Sequence, residues 1–484
     1  MSDDAIVVGS GPNGLAAAIT LARAGLAVRV LEASERVGGG LRSEPLTLPG
    51  FVHDPCSEVF PMGIASPFFR SLPQQSLGVE WVHGQAPLVH ALPGGRAVTV
   101  HHSLEATAAE LGPAADAYRG LVQPTADNWR DLLDSLLGPP FRVPRHPIAM
   151  ARFGLAGICS SAMVARRFES DEGAHALWAG VAAHLASPLN RPLSAAPALM
   201  LLGAAHTTGW PVARGGTGSL TKALVSYLES LGSSVETGRP VRTFSDLPPA
   251  RATVFDTSPR QLLAILGDRL HGRYRRQLES YRRGAALFKV DYALAGPVPW
   301  RASACRLAPT VHLADSYASV AESEATIARG GVPARPFIIV AQPSLFDPTR
   351  APAGKHTLWA YCHIPNGCPV NMTEVIEARI EEVAPGFRDL VLARASRGPA
   401  DLEHENPNFD GGDFSNGAMD GMQTLFRPAL RWDPYATPVT GVSICSAATP
   451  PGPGIHGMCG YWAGRSALRR LGIEPGPLRD SPTW

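Results

Sequence analysis

Four consecutive apolar residues, Ala5-Ile6-Val7-Val8, form the first regular pattern of the chain, and a glycine-rich turn ends it at once. A short apolar run without polar alternation predicts a strand buried on both faces. Small and apolar residues then recur at helical spacing over 15–24, and a second apolar run fills 26–31. Further on, short strands are predicted over 46–52, 79–82, 88–92 and 97–101. Helical spacing marks 104–111, 115–137, 148–168, 173–185 and 195–205. The alternation of helix and strand returns with a helix over 220–231, strand pieces at 235–237 and 240–242, and a strand over 252–256. Ser258-Pro259-Arg260 opens another helix. Strands rich in β-branched and aromatic residues are predicted within 286–294, 303–314, 336–343 and 357–363. In the tail, a strand runs from Thr437 into Ser446-Ala447-Ala448-Thr449, followed by a turn over 450–460 and a helix over 461–471.

The turn after the first strand reads Gly9-Ser10-Gly11-Pro12-Asn13-Gly14, and the second strand ends in Glu32, eighteen residues after Gly14. Strand, G-x-G-x-x-G, helix, strand and terminal acid make the dinucleotide-binding unit. Gly9 serves the tight turn, Gly11 lets the backbone approach a pyrophosphate, and Gly14 lets helix and strand pack closely. The pyrophosphate lies over the helix N-terminus, where unpaired N–H groups and the dipole favour an anion. Glu32 is placed to accept hydrogen bonds from a ribose diol, and it would repel a 2′-phosphate.

The following residues, from Glu32-Ala33-Ser34-Glu35-Arg36 through Val37-Gly38-Gly39-Gly40-Leu41-Arg42-Ser43, resemble the E-x(3)-R-x-G-G-x-x-x-S/T extension of the large flavoprotein oxidoreductase superfamily. The resemblance implies FAD as cofactor, with the glycine doublet against its diphosphate and ribityl chain. Pro211 to Leu220, containing Gly215-Gly216-Thr217-Gly218, resembles the P-x-G-G-x-x-x-L segment of phytoene desaturases and carotenoid ketolases, and there Val241 would meet the adenine through its backbone. The tail, Phe426-Arg427-Pro428 and the run from Phe346 to Trp359 resemble the same group, which includes the pyridine nucleotide-disulfide oxidoreductase domain-containing protein 2 type. The fold implied is α/β: a Rossmann-type FAD-binding domain, glutathione reductase or amine oxidase-like, interleaved with an α+β substrate-binding domain. The segments expected are 1–75, 210–284 and 436–484 for FAD, and 76–209 and 285–435 for substrate. In the tail, Ala448, Gly454, Ile455, His456, Gly457 and Met458 are expected at the flavin, where a helix N-terminus stabilises developing negative charge.

Composition narrows the picture. At 484 residues the chain exceeds one simple core, and 43 basic against 42 acidic residues give a net charge of +1, so nothing calls for nucleic acid. Seven cysteines without a C-x-x-C pair argue against a disulfide framework or zinc site. The first strand begins so early that no signal peptide is expected, and the expected compartment is the cytoplasm. The uncharged run 192–213 contains Pro197, His206 and Gly209, which favours a buried helix and loop over a membrane span. Within 141–167, Arg142, Arg145, Arg152, Arg166 and Arg167 flank apolar residues. The favoured reading is a core helix with solvated arginines, and peripheral membrane contact is the alternative.

No second G-x-G-x-x-G unit is seen, so no nicotinamide domain is expected. The leading reading is an FAD-dependent dehydrogenase, desaturase or oxidase acting on a small lipophilic substrate, with oxygen, a quinone or another acceptor taking the electrons. The alternatives are flavin-dependent isomerisation and a lipid or prenyl escort. Candidates for catalysis are His53, Tyr361, His363 and His456, with Asp54 and Cys56 nearby in sequence. Those for FAD are Gly9, Gly11, Pro12, Asn13, Gly14, Glu32, Ala33, Arg36, Gly38, Gly39, Gly40, Leu41 and Val241, with the six tail residues. No metal site is expected, and the oligomeric state is left open.

Overall fold

The computed structural model describes residues 3–168 and 171–481. Met1 and Trp484, the outer bounds of the first and last expected segments, lie outside the described residues. The opening unit forms as Ala5–Val8, the helix Pro12–Ala22 and Val28–Leu31. The two strands pair in parallel, Ala5 with Val28 through Val8 with Leu31. All four residues of the first strand are buried, which is why its sequence shows no alternation. Ala252–Phe255 pairs in parallel on its other side. The sheet runs Val442–Ile444, Ala252–Phe255, Ala5–Val8, Val28–Leu31, Ser234–Glu236.

The last long helix, Met458–Arg470, packs along the first. Two glycines permit that approach. A Cβ on Gly460 would lie 1.8 Å from the Asn13 carbonyl oxygen, and one on Gly464 2.9 Å from the Thr20 Cβ.

The second sheet has seven strands in the order Val391–Arg397, Ala286–Leu294, His356–Ile364, Ile338–Ala341, Thr310–Leu313, Leu88–Ala91, Ala97–Val100. Successive side chains take opposite faces. Ile339, Ala341 and Trp359 join a core with Trp178, Leu199 and Leu202 of the helical layer, whereas Ile338, Val340 and Leu358 join Ile376 and Ile380 of Thr373–Val383. The architecture is therefore α/β, a Rossmann-type parallel sheet interleaved with an α+β part.

Several predicted elements are shorter or absent. Residues 46–52 form no strand, because Pro49 and Gly50 (φ 84°) turn the chain, leaving one isolated bridge from Glu44 to His53. Residues 240–242 are unpaired, since Ser234–Glu236 is already the sheet edge. Pro309 separates a 3-10 turn at Ser303–Leu307 from the strand Thr310–Leu313. The helix predicted over 115–137 breaks at Asn128 into Ala115–Asp127 and Trp129–Leu136. That over 148–168 divides into Pro147–Gly157 and Ser161–Ala165 with a 3-10 turn at Arg166–Phe168, the two parts meeting at 90°.

Candidate active site

One cavity of about 600 Å3 joins the parallel sheet to the second sheet. At the first end it is lined by Gly9, Gly11, Pro12, Asn13, Glu32, Ala33, Arg36, Gly39, Gly40 and Val241, all anticipated from sequence. They converge because the parallel strands all end on the same edge of the sheet. Gly11 caps the first helix without a side chain, and a Cβ there would lie 2.5 Å from Asp256 Oδ2. Gly14 N donates to Asp256 Oδ2 at 2.8 Å. Burial pushes the Asp256 carboxyl up to about 7, opposed by the Gly14 N–H and assisted by Glu32. The buried Oδ1 of Asn13 has no partner among the described residues.

Glu32 is more occupied than its motif suggests. Its Oε2 accepts from Ser10 N (2.9 Å) and Ser10 Oγ (2.6 Å), and its Oε1 from Ser34 N (2.9 Å). A carboxylate offers about four acceptor positions, so roughly one remains for a ribose hydroxyl. Arg239 N donates to the Glu32 carbonyl at 2.8 Å, which carries Val241 to the cavity wall. A helix N-terminus whose cap residue is a glycine and whose first turn has Gly14 N held by Asp256, a carboxylate with spare acceptor capacity and an orphaned amide oxygen fit a dinucleotide.

Six other residues expected at FAD do not line this cavity, and packing explains them. A Cβ on Gly14 would lie 2.1 Å from the Gly9 carbonyl, as its packing role requires. Gly38 lies against Thr221, whose Oγ1 donates to the carbonyl of the fully buried Leu41. Ala448 is fully buried. Gly457, at φ 66°, would place a Cβ 2.8 Å from the Phe68 ring and 3.2 Å from Ala16 Cβ, so it serves helix packing. Met458 is buried, and its N–H donates to His456 Nδ1 at 3.0 Å. Gly454, Ile455 and His456 do line the cavity. Burial holds His456 down at about 4, against the pull of the Gly452 carbonyl, so the ring is neutral at pH 7.

The other end is apolar and aromatic, with Phe60, Met200, Leu201, Trp210, Trp359 and Tyr361 among its walls. Of the four catalytic candidates, Tyr361 and His456 line the cavity, while His53 and His363 lie behind it. His53 Nε2 is 2.7 Å from Thr47 Oγ1, and burial lowers the imidazole to about 4. His363 Nδ1 is 3.0 Å from Glu324 Oε1, and its ring stacks on Phe414, which does line the cavity. His53 faces the half-buried Thr47 of the preceding loop and His363 the buried Glu324 of the helix Tyr317–Ala328, and the local sequence does not carry the second pairing. Asp54 also lies outside the cavity, accepting from Ser43 Oγ (2.5 Å), Thr217 N (3.1 Å) and Arg350 Nη2 (3.0 Å). It ties the 216–218 turn to the 346–359 run. Cys56 lines the cavity, with burial raising its thiol.

Four cavity groups escape sequence reasoning. Lys289 donates to Asp291 Oδ1 (2.5 Å) and to the Asp54 carbonyl (2.9 Å), its Nζ 5.1 Å from the Trp359 ring centre. Burial lowers its pKa against the pull of Asp291. A lysine and an aspartate two apart in a buried strand was the available signal. Glu58 lies 2.7 Å from Arg350 Nη2, and burial raises its carboxyl despite that cation. His184 is half-buried, its Nε2 2.9 Å from His312 Nε2, and burial holds it down at about 3. Asp256 ends a parallel strand, the usual place for a ligand-facing group.

The model of a family described as flavin containing amine oxidoreductase matches residues 13–269, just over half of the chain. Mouse (Mus musculus) pyridine nucleotide-disulfide oxidoreductase domain-containing protein 2 is 35% identical over 158 residues, 30% of this chain and 27% of that protein. The 4,4'-diapolycopen-4-al dehydrogenase of Metabacillus indicus is 32% identical over 131 residues, 26% of each chain. The matched segments thus span about a quarter of these relatives' lengths. Among solved structures, an oxidoreductase from Methanosarcina mazei superposes with a TM-score of 0.64 at 16% identity, covering 96% of this chain and 99% of its own. Cyclohexylamine oxidase from Brevibacterium oxydans IH-35A gives 0.60 at 15%, covering 98% and 100%. At such identities the likeness concerns the fold. The chain belongs to the flavin containing amine oxidoreductase family and is an FAD-dependent oxidoreductase.

Proposed function

We propose that the protein is a dehydrogenase, desaturase or oxidase acting on an apolar organic substrate, with electrons leaving to oxygen, a quinone or another acceptor. The observation that carries this reading is the continuity of one cavity from the glycine loop to a wall of Met200, Leu201, Trp210, Trp359 and Tyr361. Bound FAD supplies a hydride acceptor at N5. Gly9 to Asn13, Glu32 and Val241 would hold its adenosine and pyrophosphate, and Gly454 to His456 its ring end.

The chain's own work at the apolar end is binding, orientation and exclusion of water. Burying about 300 Å2 of apolar substrate contributes some 7 kcal/mol before the costs of binding, at roughly 25 cal/mol per Å2. Tyr361 stacks on Trp359 at 5.3 Å between ring centres, and burial raises its phenol, which stays protonated and can donate a hydrogen bond. His184 stays neutral, and its ring is fixed by His312. The proton released with the hydride passes to a side chain, water or solvent. An amine would arrive as a cation, and Glu58, already beside Arg350, offers it no free anion.

The test is anaerobic mixing of the yellow protein with lipophilic alcohols, aldehydes, polyenes and amines while the flavin band is followed. Bleaching by lipophilic non-amines is expected. Bleaching by hydrophilic amines alone would overturn the reading.

A further inference from the structure

We propose that the face formed by residues 141–167 together with 422–432 docks on an anionic lipid bilayer. Residues 141–167 contain five arginines and no aspartate or glutamate, in a chain whose net charge is only +1. Among the described residues no single helix is long and apolar enough to cross a membrane, and the pair Pro147–Gly157 and Ser161–Phe168 is bent by 90°. Such a pair can lie along a surface without spanning it.

Its two faces differ. Ala149, Phe153 and Ala156 are buried in the core, whereas Ile148 is 71% and Leu155 73% exposed, with Ile158 and Met163 also exposed. Exposed apolar tips gathered on two adjoining helices and the turn between them mark an interaction surface. Arg152, Arg166 and Arg167 stand among them, exposed and unpaired among the described residues. Arg145 is held by Asp134 at 3.1 Å, and Arg142 lies over the Trp462 ring. Aliphatic tips interleaved with free arginines match the boundary between acyl chains and anionic headgroups.

A second segment, distant in sequence, extends the face. Trp432 is 83% exposed, and its ring stacks on Phe141 at 5.6 Å with planes 6° apart, while Phe426 stacks on the same phenylalanine at 5.7 Å. Tryptophan with an apolar body and a polar edge suits the headgroup level. The face also lies close to the apolar end of the cavity. Pro147–Gly157 packs on Ala196–Ala205, from which Pro197, Met200 and Leu201 line the cavity. Docking of this face requires no step of the flavin chemistry.

Flotation of the FAD-loaded protein separates the outcomes. Wild type should float with vesicles of phosphatidylcholine and phosphatidylserine, remain below with phosphatidylcholine alone, and lose binding as salt rises. A triple variant, Arg152→Gln, Arg166→Gln and Arg167→Gln, should bind about 100-fold more weakly, at about fivefold per arginine. A second, Ile148→Gln, Leu155→Gln and Trp432→Gln, should lose binding and the vesicle-induced blue shift of tryptophan emission. Both alter exposed side chains, so flavin absorbance and melting temperature should match wild type. Wild type that stays below with anionic vesicles, or variants that float equally, would overturn the proposal. So would a dimer in vesicle-free solution that the apolar variant abolishes, since the face would then join two copies of the chain.

Discussion

At the dinucleotide end of the cavity, the lining groups sit where parallel strands stop: Gly9 after the first, Glu32 after the second, Asp256 after the Ala252–Phe255 strand. At the apolar end, Leu136 ends one helix, Met200 and Leu201 come from a second, Trp359 and Tyr361 from a strand, and Trp210 from a loop. In the first case short-range backbone geometry places the ligand-facing atoms. In the second, side chains become neighbours only after long stretches of chain have packed. A local motif can encode the first and has no means of encoding the second.

The comparison breaks most severely at the backbone of the dinucleotide half. Gly460→Val would force the two long helices apart, because even a Cβ clashes with the Asn13 carbonyl. Insoluble expression or loss of the cooperative melt is expected, beyond the ordinary overpacking cost of about 1–3 kcal/mol. Gly457→Val should likewise lower the melting temperature, since its φ is 66° and the Phe68 ring is in contact. Soluble Gly460→Val with a wild-type melting curve would show that the helices have room to spare.

Glu32→Ala comes next. It removes a carboxylate serving Ser10, Ser34 and, by fit, a ribose hydroxyl, at about 1.5–3 kcal/mol for a hydrogen bond to a charged group. FAD should bind at least tenfold more weakly by equilibrium dialysis, with substrate-end mutants as unaffected controls. The acid limb of stability is the third test. His184 at about 3 and His53, His206 and His456 at about 4 are neutral in the fold, whereas the unfolded chain protonates them below about 6.5. The fold therefore binds fewer protons between those limits, and stability falls as pH falls through that window. Each ring adds up to about 1.4 kcal/mol per pH unit. His184→Asn should flatten the slope in a urea series between pH 6.5 and 4, and an unchanged slope would mean that His184 is not held neutral. The smallest effect belongs to Tyr361→Phe. It should raise KM or lower kcat a few-fold once a substrate is known, with FAD affinity unchanged.

The same contrast explains what could be read from the sequence. Gly9, Gly11 and Glu32 were legible because turn, helix start and acid follow one another within a single unit. Strand ends were less so: 240–242 has strand composition, but whether it pairs depends on there being a neighbour at the sheet edge. Gly457 looked like a flavin contact because a glycine before a helix suits both close approach to a ligand and close approach to Phe68. His53 and His363 lie in segments that the sequence places towards the cavity. Their ring partners, Thr47 on a neighbouring loop and Glu324 on a helix, decide that both are turned from the cavity.

The parallel sheet takes its strands from both ends of the chain, and Pro12–Ala22 lies against Met458–Arg470. On the ribosome these partners emerge 446 residues apart, counted from Pro12 to Met458. At roughly 5–20 residues per second, the first helix waits on the order of 20 to 90 s for the surface that covers it. During that interval Val442–Ile444 is missing from the sheet edge, and the groove that Gly460 and Gly464 will fill is open to water and to chaperones. The nucleotide-binding half therefore waits for the synthesis of residues 442–470, and a message truncated before residue 442 would yield a chain that cannot complete that half.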